Sequence, residues 1–411
     1  MKKKKRVLLS AFACDPITGG EPYVGWQWAQ FLCQSYDLHV VTRTYNKSRI
    51  GNHELAKQVQ FHYCDAAFSL RRGHYSRFNR LYYVYWQWLA LRRMRRLHRQ
   101  QPFDLVHHVT YNSVEMPGLL WRLPGAAFVW GPVGGGQLPP DSLSEVYGRA
   151  WLKQRLRKFL KLSAKYNPVI RIATRRAAAV LFANADTEAL LRDLPIKHGE
   201  RMLETSIHER TPSRPRNQPG SDRPLRVTWI GHIVPRKALA LALNAMASGL
   251  RDYGDEFRVE LHVLGDGPLL PAARQMVEDL QLTDRVTFHD VIPHAEIDAF
   301  FEGADILLFT SVQDTSGNVV LEAMANGVPV VALNHQGVKE MVTMGGGVLV
   351  DVCDFSGTVR RLADVLHSFA NNRVDYQAMS NAALDEVRER HTWQLKSRKI
   401  TELYDTLINQ G

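Results

Sequence analysis

Along the first half of the chain, short apolar runs alternate with stretches whose apolar residues recur at helical spacing. The runs Val7–Ala13, Leu38–Thr42, Val59–Tyr63, Leu105–Val109, Ala127–Trp130 and Val180–Ala183 have the length of strands. Strands separated by helices predict βαβ units and a mostly parallel sheet. The polar, Pro-rich segment Thr205–Pro224 has no such period and reads as an interdomain linker or exposed loop. The alternation then restarts with Leu225–Ile230, Val259–Leu264, Val286–Phe288, Ile306–Phe309, Val328–Ala332 and Gly347–Val350. A final helix, about Trp393 to Ile408, follows a break near Arg390. The pattern predicts an α/β chain of two domains with parallel sheets and a cleft between them. Residues 1–204 form the first domain, 205–224 the linker and 225–390 the second domain. Residues 391–411 form a C-terminal helix that could pack back on the first domain. Parallel sheets bind ligands at the carboxyl ends of their strands, so both domains should turn those ends to the cleft.

The length of 411 residues agrees with two domains. With 45% hydrophobic and 23% charged residues, the composition excludes wholesale disorder. No run approaches the roughly 20 apolar residues of a membrane-spanning helix. The N-terminal MKKKKRVLLSAFAC reads as a first strand entering a glycine turn rather than as a signal peptide, because Asp15 and Pro16 follow at once. Cys14, Cys33, Cys64 and Cys353 show neither metal-type spacing nor a disulfide framework and suit a reducing cytosol.

The net charge of +11 is unevenly placed. Residues 66–103 hold nine arginines and no acid, and residues 146–185 hold ten basic residues and no acid. The two stretches outweigh the whole net charge, so the remainder is acidic. The first interleaves arginines with Phe78, Tyr82, Tyr83, Tyr85, Trp86 and Trp88, a composition suited to an anionic membrane interface. The second places Leu152, Leu156, Phe159 and Leu160 on one helical face with Lys and Arg opposite. An ordinary amphipathic helix satisfies that pattern as well as a membrane-surface one does. No nucleic-acid module accompanies the charge, so nucleic acid is not expected as a partner.

The densest candidate chemistry lies in ADILLFTSVQDTSGNVVLEAMANGVPVVA, residues 304–332. A strand ends in the loop Thr310–Gly317, and a helix begins near Asn318. At such a junction the backbone N–H groups of Thr315, Ser316, Gly317, Asn318 and Val319, with the helix dipole, suit a phosphate. Glu322, one turn in, could accept hydrogen bonds from a diol, and Asp314 could meet sugar hydroxyls. A plain strand–loop–helix with solvent-facing acids remains open from these residues alone.

The spacing Asp314-x7-Glu322 followed by Gly327-Val-Pro329 resembles the E-x7-E region of retaining, nucleotide-sugar-dependent glycosyltransferases of the family-4 kind. The resemblance implies the GT-B fold of two facing Rossmann-like domains. The family's first Glu is Asp314 here. WIGHIVPRKALALALNAMA, with Gly231, resembles the segment whose basic residues clamp the donor diphosphate. Lys237 matches the family lysine, Arg236 stands beside it, and His232 occupies a place where arginine is common. HVLGDGP with Gly265, and VTFHDVIPHAEIDAFFEGAD with Ile292, resemble the segments that hold the base. In the first domain the turn Gly19-Gly20 would bring backbone amides to the donor or the acceptor, and Glu21 joins the acceptor side. DLVHH resembles a strand end that often carries histidine at the cleft. His108 is the catalytic candidate and His107 an acceptor-side one, and a structural role stays open for both. Gly134, Gly135 and Gly136 read as a flexible loop against the acceptor or as a simple turn.

By this reading Lys237, Asp314, Glu322 and His108 form the catalytic set. Lys237, Arg236 and the helix N-terminus meet the charge of the departing nucleoside diphosphate. No Asp-x-Asp pair is present, so neither metal nor other cofactor is expected. The implied donor is a UDP- or GDP-hexose and the acceptor a lipid-linked or polysaccharide saccharide. The implied location is the cytoplasmic face of the membrane, held peripherally. The competing readings are a sugar-nucleotide epimerase or phosphorylase of the same fold, and a membrane- or nucleic-acid-binding protein without catalysis.

Overall fold

A computed structural model of the chain describes residues 4–17, 20–51, 53–65, 79–111, 113–208, 216–217, 219, 222–293 and 296–410. Two compact units account for it. Unit 1 comprises Met1–Gly136, Leu160–Thr205 and Trp393–Gly411, and unit 2 comprises Gln137–Phe159 and Ser206–Thr392. The helices used below are α1 (Glu21–Leu32), α2 (Asn79–Gln100), α3 (Trp151–Ser163), α4 (Leu239–Tyr253), α5 (Asn318–Ala325) and α6 (Trp393–Gln410).

Unit 1 is built on β1 (Arg6–Ser10), β2 (Asp37–Arg43), β3 (Gln60–Cys64), β4 (Leu105–His108), β5 (Ala127–Val133), β6 (Ala179–Phe182) and β7 (Gly199–Arg201). All neighbours pair in parallel, in the order β3-β2-β1-β4-β5-β6-β7. Successive residues point to opposite faces. Thus Val7, Leu9, Val129 and Leu181 pack under α1 and α6, while Leu8, Phe128, Trp130 and Val180 pack under α2. Because both faces are covered, the strands read as unbroken apolar runs. The short edge strand β7, Gly-Glu-Arg, has no such run and was invisible to that pattern.

Unit 2 repeats the plan with β8 (Leu225–Ile230), β9 (Val259–Leu264), β10 (Val286–His289), β11 (Ile306–Phe309), β12 (Val330–Leu333) and β13 (Gly347–Val350). The order is β10-β9-β8-β11-β12-β13. The doubly wound order reverses between β1 and β4 in unit 1 and between β8 and β11 in unit 2, which is where such sheets leave a crevice at their carboxyl ends.

The two sheets share a further detail. His39 and His62 stack across β2 and β3, and His262 and His289 stack across β9 and β10 with the same two-residue offset. The Arg6 guanidinium donates to His39 Nε2 (3.0 Å), so His39 must donate from Nδ1 to His62 Nε2 (2.9 Å). Burial foremost lowers the pKa of His39 and His262, and it takes that of His62 down to about 4. Between pH 6.5 and 4 the unfolded chain therefore binds protons that the folded chain refuses, and stability falls as pH falls. The denaturation midpoint is expected to drop over that window, and His62→Gln should flatten the drop. An unchanged midpoint from pH 7 to 4.5 would contradict it.

The structure departs from the sequence expectation at two segments, residues 137–159 and 205–224. Residues 137–159, assigned to the first domain, group with unit 2. Their 3-10 turns over Asp141–Ala150 bury Leu143 and Tyr147 in unit 2's core, a packing that no helical or strand period announces. The last helix, α6, groups with unit 1, where Trp393, Ile400, Tyr404 and Leu407 join the core under α1. The segment 205–224 is anchored at several of its described residues. Ile207 bridges Thr392, and Arg216 donates to the carbonyls of Phe301 (2.6 Å), Ala304 (2.7 Å) and Asn326 (2.9 Å). Residues 209–215, 218 and 220–221 lie outside the described set.

The basic stretches also sort by face. On α2, Tyr82, Tyr83 and Trp86 point into the core, so only part of the aromatic set expected at a membrane is available. Leu81, Val84, Tyr85 and Trp88 form the exposed stripe, and the Arg92 guanidinium lies 4.6 Å from the Trp88 ring centroid. Arg71, Arg72, Arg77 and Phe78 lie outside the described residues. On α3 no described residue is buried, and Leu152, Leu156, Phe159 and Leu160 are exposed. Among the described residues, no helix is long and apolar enough to cross a membrane.

Candidate functional site

The candidate site of unit 2 forms where β8 and β11 end. Beyond β8 the Gly231 N–H donates to Leu264 O (3.0 Å), which brings the loop after β8 against the loop after β9. The two loops touch so closely that a Cβ on Gly265 (φ +152°) would stand 2.0 Å from Gly231 O. Glycine is the residue this crossing admits. His232 donates from Nδ1 to Asp266 O (2.6 Å), so its ring braces the same crossing.

A 3-10 turn, Pro235–Lys237, follows and ends at Ala238 in the left-handed region (φ 51°). Its backbone is tied to the loop after β11. Val312 N–H (2.8 Å) and Ser311 Oγ (3.1 Å) donate to Arg236 O, and the Thr310 hydroxyl lies 3.1 Å from Lys237 O while accepting the Trp229 indole N–H (3.0 Å). Two sequence-distant loops, together with Trp229 near the end of β8, thereby fix where the Lys237 side chain emerges.

That side chain meets Asp314. Lys237 Nζ and Asp314 Oδ2 form a close ion pair, Arg236 lies 3.6 Å from the same oxygen, and the Phe309 ring underlies the ammonium at 5.1 Å. Both partners are largely covered, with side-chain exposures of 14% and 19%, so the pair is less screened than a surface one. The sequence reading placed Lys237 on the diphosphate and Asp314 on sugar hydroxyls separately, and the structure joins them. The one-methylene-shorter Asp reaches the lysine from the loop.

Gly317 caps α5. A Cβ there would come within 2.7 Å of the Phe309 ring, and one on Gly337 within 2.0 Å of Thr315 O, so the loop 314–317 is wedged between close neighbours. The N–H groups of Asn318 and Val319 stand in the first turn of α5, where a helix carries partial positive charge. Glu322 is half-buried one turn on. The structure thus brings together Gly231, Arg236, Lys237, Asp314, Thr315, Ser316, Gly317, Asn318, Val319 and Glu322, with Gly265 shaping the floor. Ile292 is half-buried in the loop after β10, next to residues 294–295, which lie outside the described set.

Sequence reasoning missed three glutamines. Gln336, itself left-handed (φ 56°), accepts from Asp314 N–H (2.9 Å) and donates to Leu138 O (2.9 Å) and Val312 O (3.1 Å). Gln137 donates to Thr315 Oγ1 (2.7 Å), and Gln313 donates to Gln137 O (3.2 Å). A polar residue straight after three glycines was the one available signal.

In unit 1, Gly20 (φ 72°) caps α1, and Gly19 lies outside the described residues. The Glu21 carboxylate accepts the amide N–H of Tyr111, which sits in the left-handed region (φ 59°). Glu21 is exposed as a residue, yet its carboxylate is closely surrounded, and this desolvation raises its pKa against the pull of the Tyr111 amide and Arg43.

Both strand-end histidines turn inward, contrary to the acceptor-side and catalytic roles expected of them. His107 bonds Tyr404 OH through Nδ1 and Gly131 O through Nε2 (2.7 Å), and its ring packs edge-on to Trp28. His108 is 1% exposed and meets Tyr83 OH at 3.0 Å. Burial first of all takes both pKa values down to about 3, so the rings are neutral packing elements. The glycine loop is likewise held rather than flexible. Gly134 O accepts Val114 N–H (3.1 Å), Gly135 takes φ 93°, and Gly136 lies so close to Thr187 that a Cβ would come within 2.4 Å of its Cα. A cavity of about 900 Å³ in unit 1 opens at the amino ends of β5 to β7 beside α6. It is remote from the strand ends that carry these residues, and its lining mixes Lys197 and Lys399 with Glu200 and Glu402.

Comparison with known proteins sets this geometry in context. Residues 224–368 match the family described as Glycosyl transferases group 1. The Salmonella typhimurium protein named as the colanic acid biosynthesis glycosyltransferase WcaL is 29% identical over 194 residues, 45% of this chain and 46% of that protein. The match thus spans less than half the length of that relative. Among solved structures, the sucrose-phosphate synthase of Thermosynechococcus elongatus superposes with a TM-score of 0.68 at 17% identity, covering 99% of this chain and 100% of that one. HepE of Anabaena, solved in complex with UDP, gives 0.65 at 17% identity over 98% and 100%. At such identity these likenesses establish the fold, which is GT-B.

Proposed function

We propose, from the match of residues 224–368 to the glycosyl transferases group 1 family and from the GT-B fold, that this chain is a glycosyltransferase that moves a hexose from a nucleotide-sugar, UDP- or GDP-linked, to a lipid-linked or polysaccharide acceptor in surface polysaccharide or lipopolysaccharide assembly. The observation that carries the reading is the Lys237–Asp314 pair, with Arg236 beside it, at the loop that opens α5.

The reaction breaks the bond between the anomeric carbon and the β-phosphate oxygen. Negative charge grows on that oxygen while the sugar becomes oxocarbenium-like. Lys237, Arg236 and the N–H groups at the start of α5 supply fixed positive potential where the charge appears, without a metal in the proposed scheme. Asp314 holds the ammonium in place before the donor arrives, and its carboxylate is then close enough to take sugar hydroxyls. Glu322, one turn along α5, accepts from a diol of the ribose or the sugar. Retention of anomeric configuration is proposed from the family resemblance.

The acceptor side rests on surface chemistry. The exposed stripe Leu81, Val84, Tyr85 and Trp88 runs into Arg92, Arg95, Arg96 and Arg99 on α2, and α3 presents leucines beside Lys153 and Arg157. Apolar and aromatic side chains next to arginines complement an anionic lipid surface, which would deliver a lipid-linked acceptor from the cytoplasmic side. WcaL is named for colanic acid biosynthesis, which favours an envelope saccharide as product.

The test is a transfer assay with UDP- and GDP-hexoses on vesicles bearing polyprenyl-linked saccharides. Sugar is expected in the lipid phase on anionic vesicles, falling as salt rises. Isomerised donor without acceptor, or equal transfer on neutral vesicles, counts against the reading.

A further inference from the structure

Gln137 is the first residue of the segment that joins unit 2, and it is buried although polar. Its amide donates to Thr315 Oγ1 (2.7 Å), two residues before the cap of α5. Its carbonyl accepts from Gln313 Nε2 (3.2 Å), and the carbonyl of Leu138 accepts from Gln336 Nε2 (2.9 Å). Gln336 in turn holds the Asp314 amide. Residues 312–315 are therefore gripped by hydrogen bonds from two directions, through the side chain and carbonyl of Gln137 on one side and through Gln336, itself tied to Leu138 O, on the other.

The bond to Thr315 has a polarity. A primary amide N–H only donates, so the Thr315 oxygen acts here as acceptor. The hydroxyl hydrogen then points away from Gln137. A hydroxyl arranged this way at a helix N-terminus is suited to donate to an anionic oxygen. We propose that Gln137 is a positioning residue for the nucleotide-sugar site, fixing the Thr315 hydroxyl as a donor toward the diphosphate and holding the loop that carries Asp314. The proposal deepens the glycosyltransferase reading and rests on it.

The probes are UDP, GDP and ADP, titrated calorimetrically into the full-length protein. Gln137→Leu removes the amide and is expected to weaken the preferred nucleotide about fivefold. Gln137→Glu keeps the shape but reverses the polarity, because a carboxylate accepts the Thr315 hydrogen and adds negative charge. Its expected weakening is tenfold or more. In a Thr315→Val background, Gln137→Leu is expected to have no further effect on affinity. A residue that only supports the fold would lower the melting temperature without this coupling to Thr315. Should Gln137→Leu fold poorly, the near-isosteric Gln137→Glu carries the test alone. Wild-type affinity in both variants, or a Gln137→Leu loss that persists undiminished with Thr315→Val, overturns the proposal and leaves the wider reading intact. Absence of nucleotide binding by the wild-type protein overturns the wider reading itself.

Discussion

Lys237→Ala is expected to lower kcat/KM for the nucleotide-sugar by about a hundred- to a thousandfold, the loss typical when one preorganised charge-stabilising donor is removed. The ammonium is held from three sides, by Asp314, by the Phe309 ring and by a 3-10 turn whose carbonyls are tied to Thr310 and Ser311. It therefore needs no reorganisation when charge develops on the leaving group. Its removal also leaves Asp314 facing the diphosphate with only Arg236, 3.6 Å away and 44% exposed, to offset it. A partly solvated guanidinium is a weak substitute in that role. Steady-state rates with the donor identified by calorimetry, alongside circular dichroism to confirm folding, read the effect. Unchanged nucleotide affinity and turnover would remove the basis of the mechanism.

Truncation before Trp393 is expected to unfold unit 1 while leaving a cooperative transition for unit 2. Trp393, Ile400, Tyr404 and Leu407 are each less than a tenth exposed and pack among Trp28, Phe31 and Tyr36. Burial of four such side chains contributes about 6–12 kcal/mol by area, as an upper bound. A domain's whole stability is about 5–15 kcal/mol. The loss also strips His107 of its Tyr404 partner inside the core and removes the buried Lys396, whose ammonium serves the carbonyls of Leu203 and Thr205, leaving both carbonyls without that donor. Differential scanning calorimetry of residues 1–392 should show one transition where the full chain shows two. Two undisturbed transitions would refute the prediction.

Much of the fold was legible because buried parallel strands are apolar on both faces. Twelve predicted runs correspond to β1–β6 and β8–β13, and among the described strands only the polar β7 escaped. The loop that opens α5 was legible for a similar reason. A strand, a glycine-bearing loop and a helix N-terminus occur in local order, so the sequence outlined the element over residues 314–322, and the resemblance gave its residues their expected roles. What spacing cannot show is which side chains from distant segments converge. The Lys237–Asp314 pair spans 77 positions and the Gln137–Thr315 bond spans 178. The inward turn of His107 and His108 depends on Tyr83 and Tyr404, which lie on helices that no local pattern connects to β4. The position of residues 137–159 was hidden because 3-10 turns carry little periodic signal.

The polypeptide crosses from one unit to the other four times, after Gly136, Phe159, Thr205 and Thr392. No single cut yields two complete halves. A chimaera that exchanges unit 2 between related chains at one junction near residue 205 would therefore inherit Gln137 of one parent and the loop it holds of the other. Recombination that preserves both must import two gene segments together, and this sets a barrier to module shuffling that the apparent two-domain layout conceals.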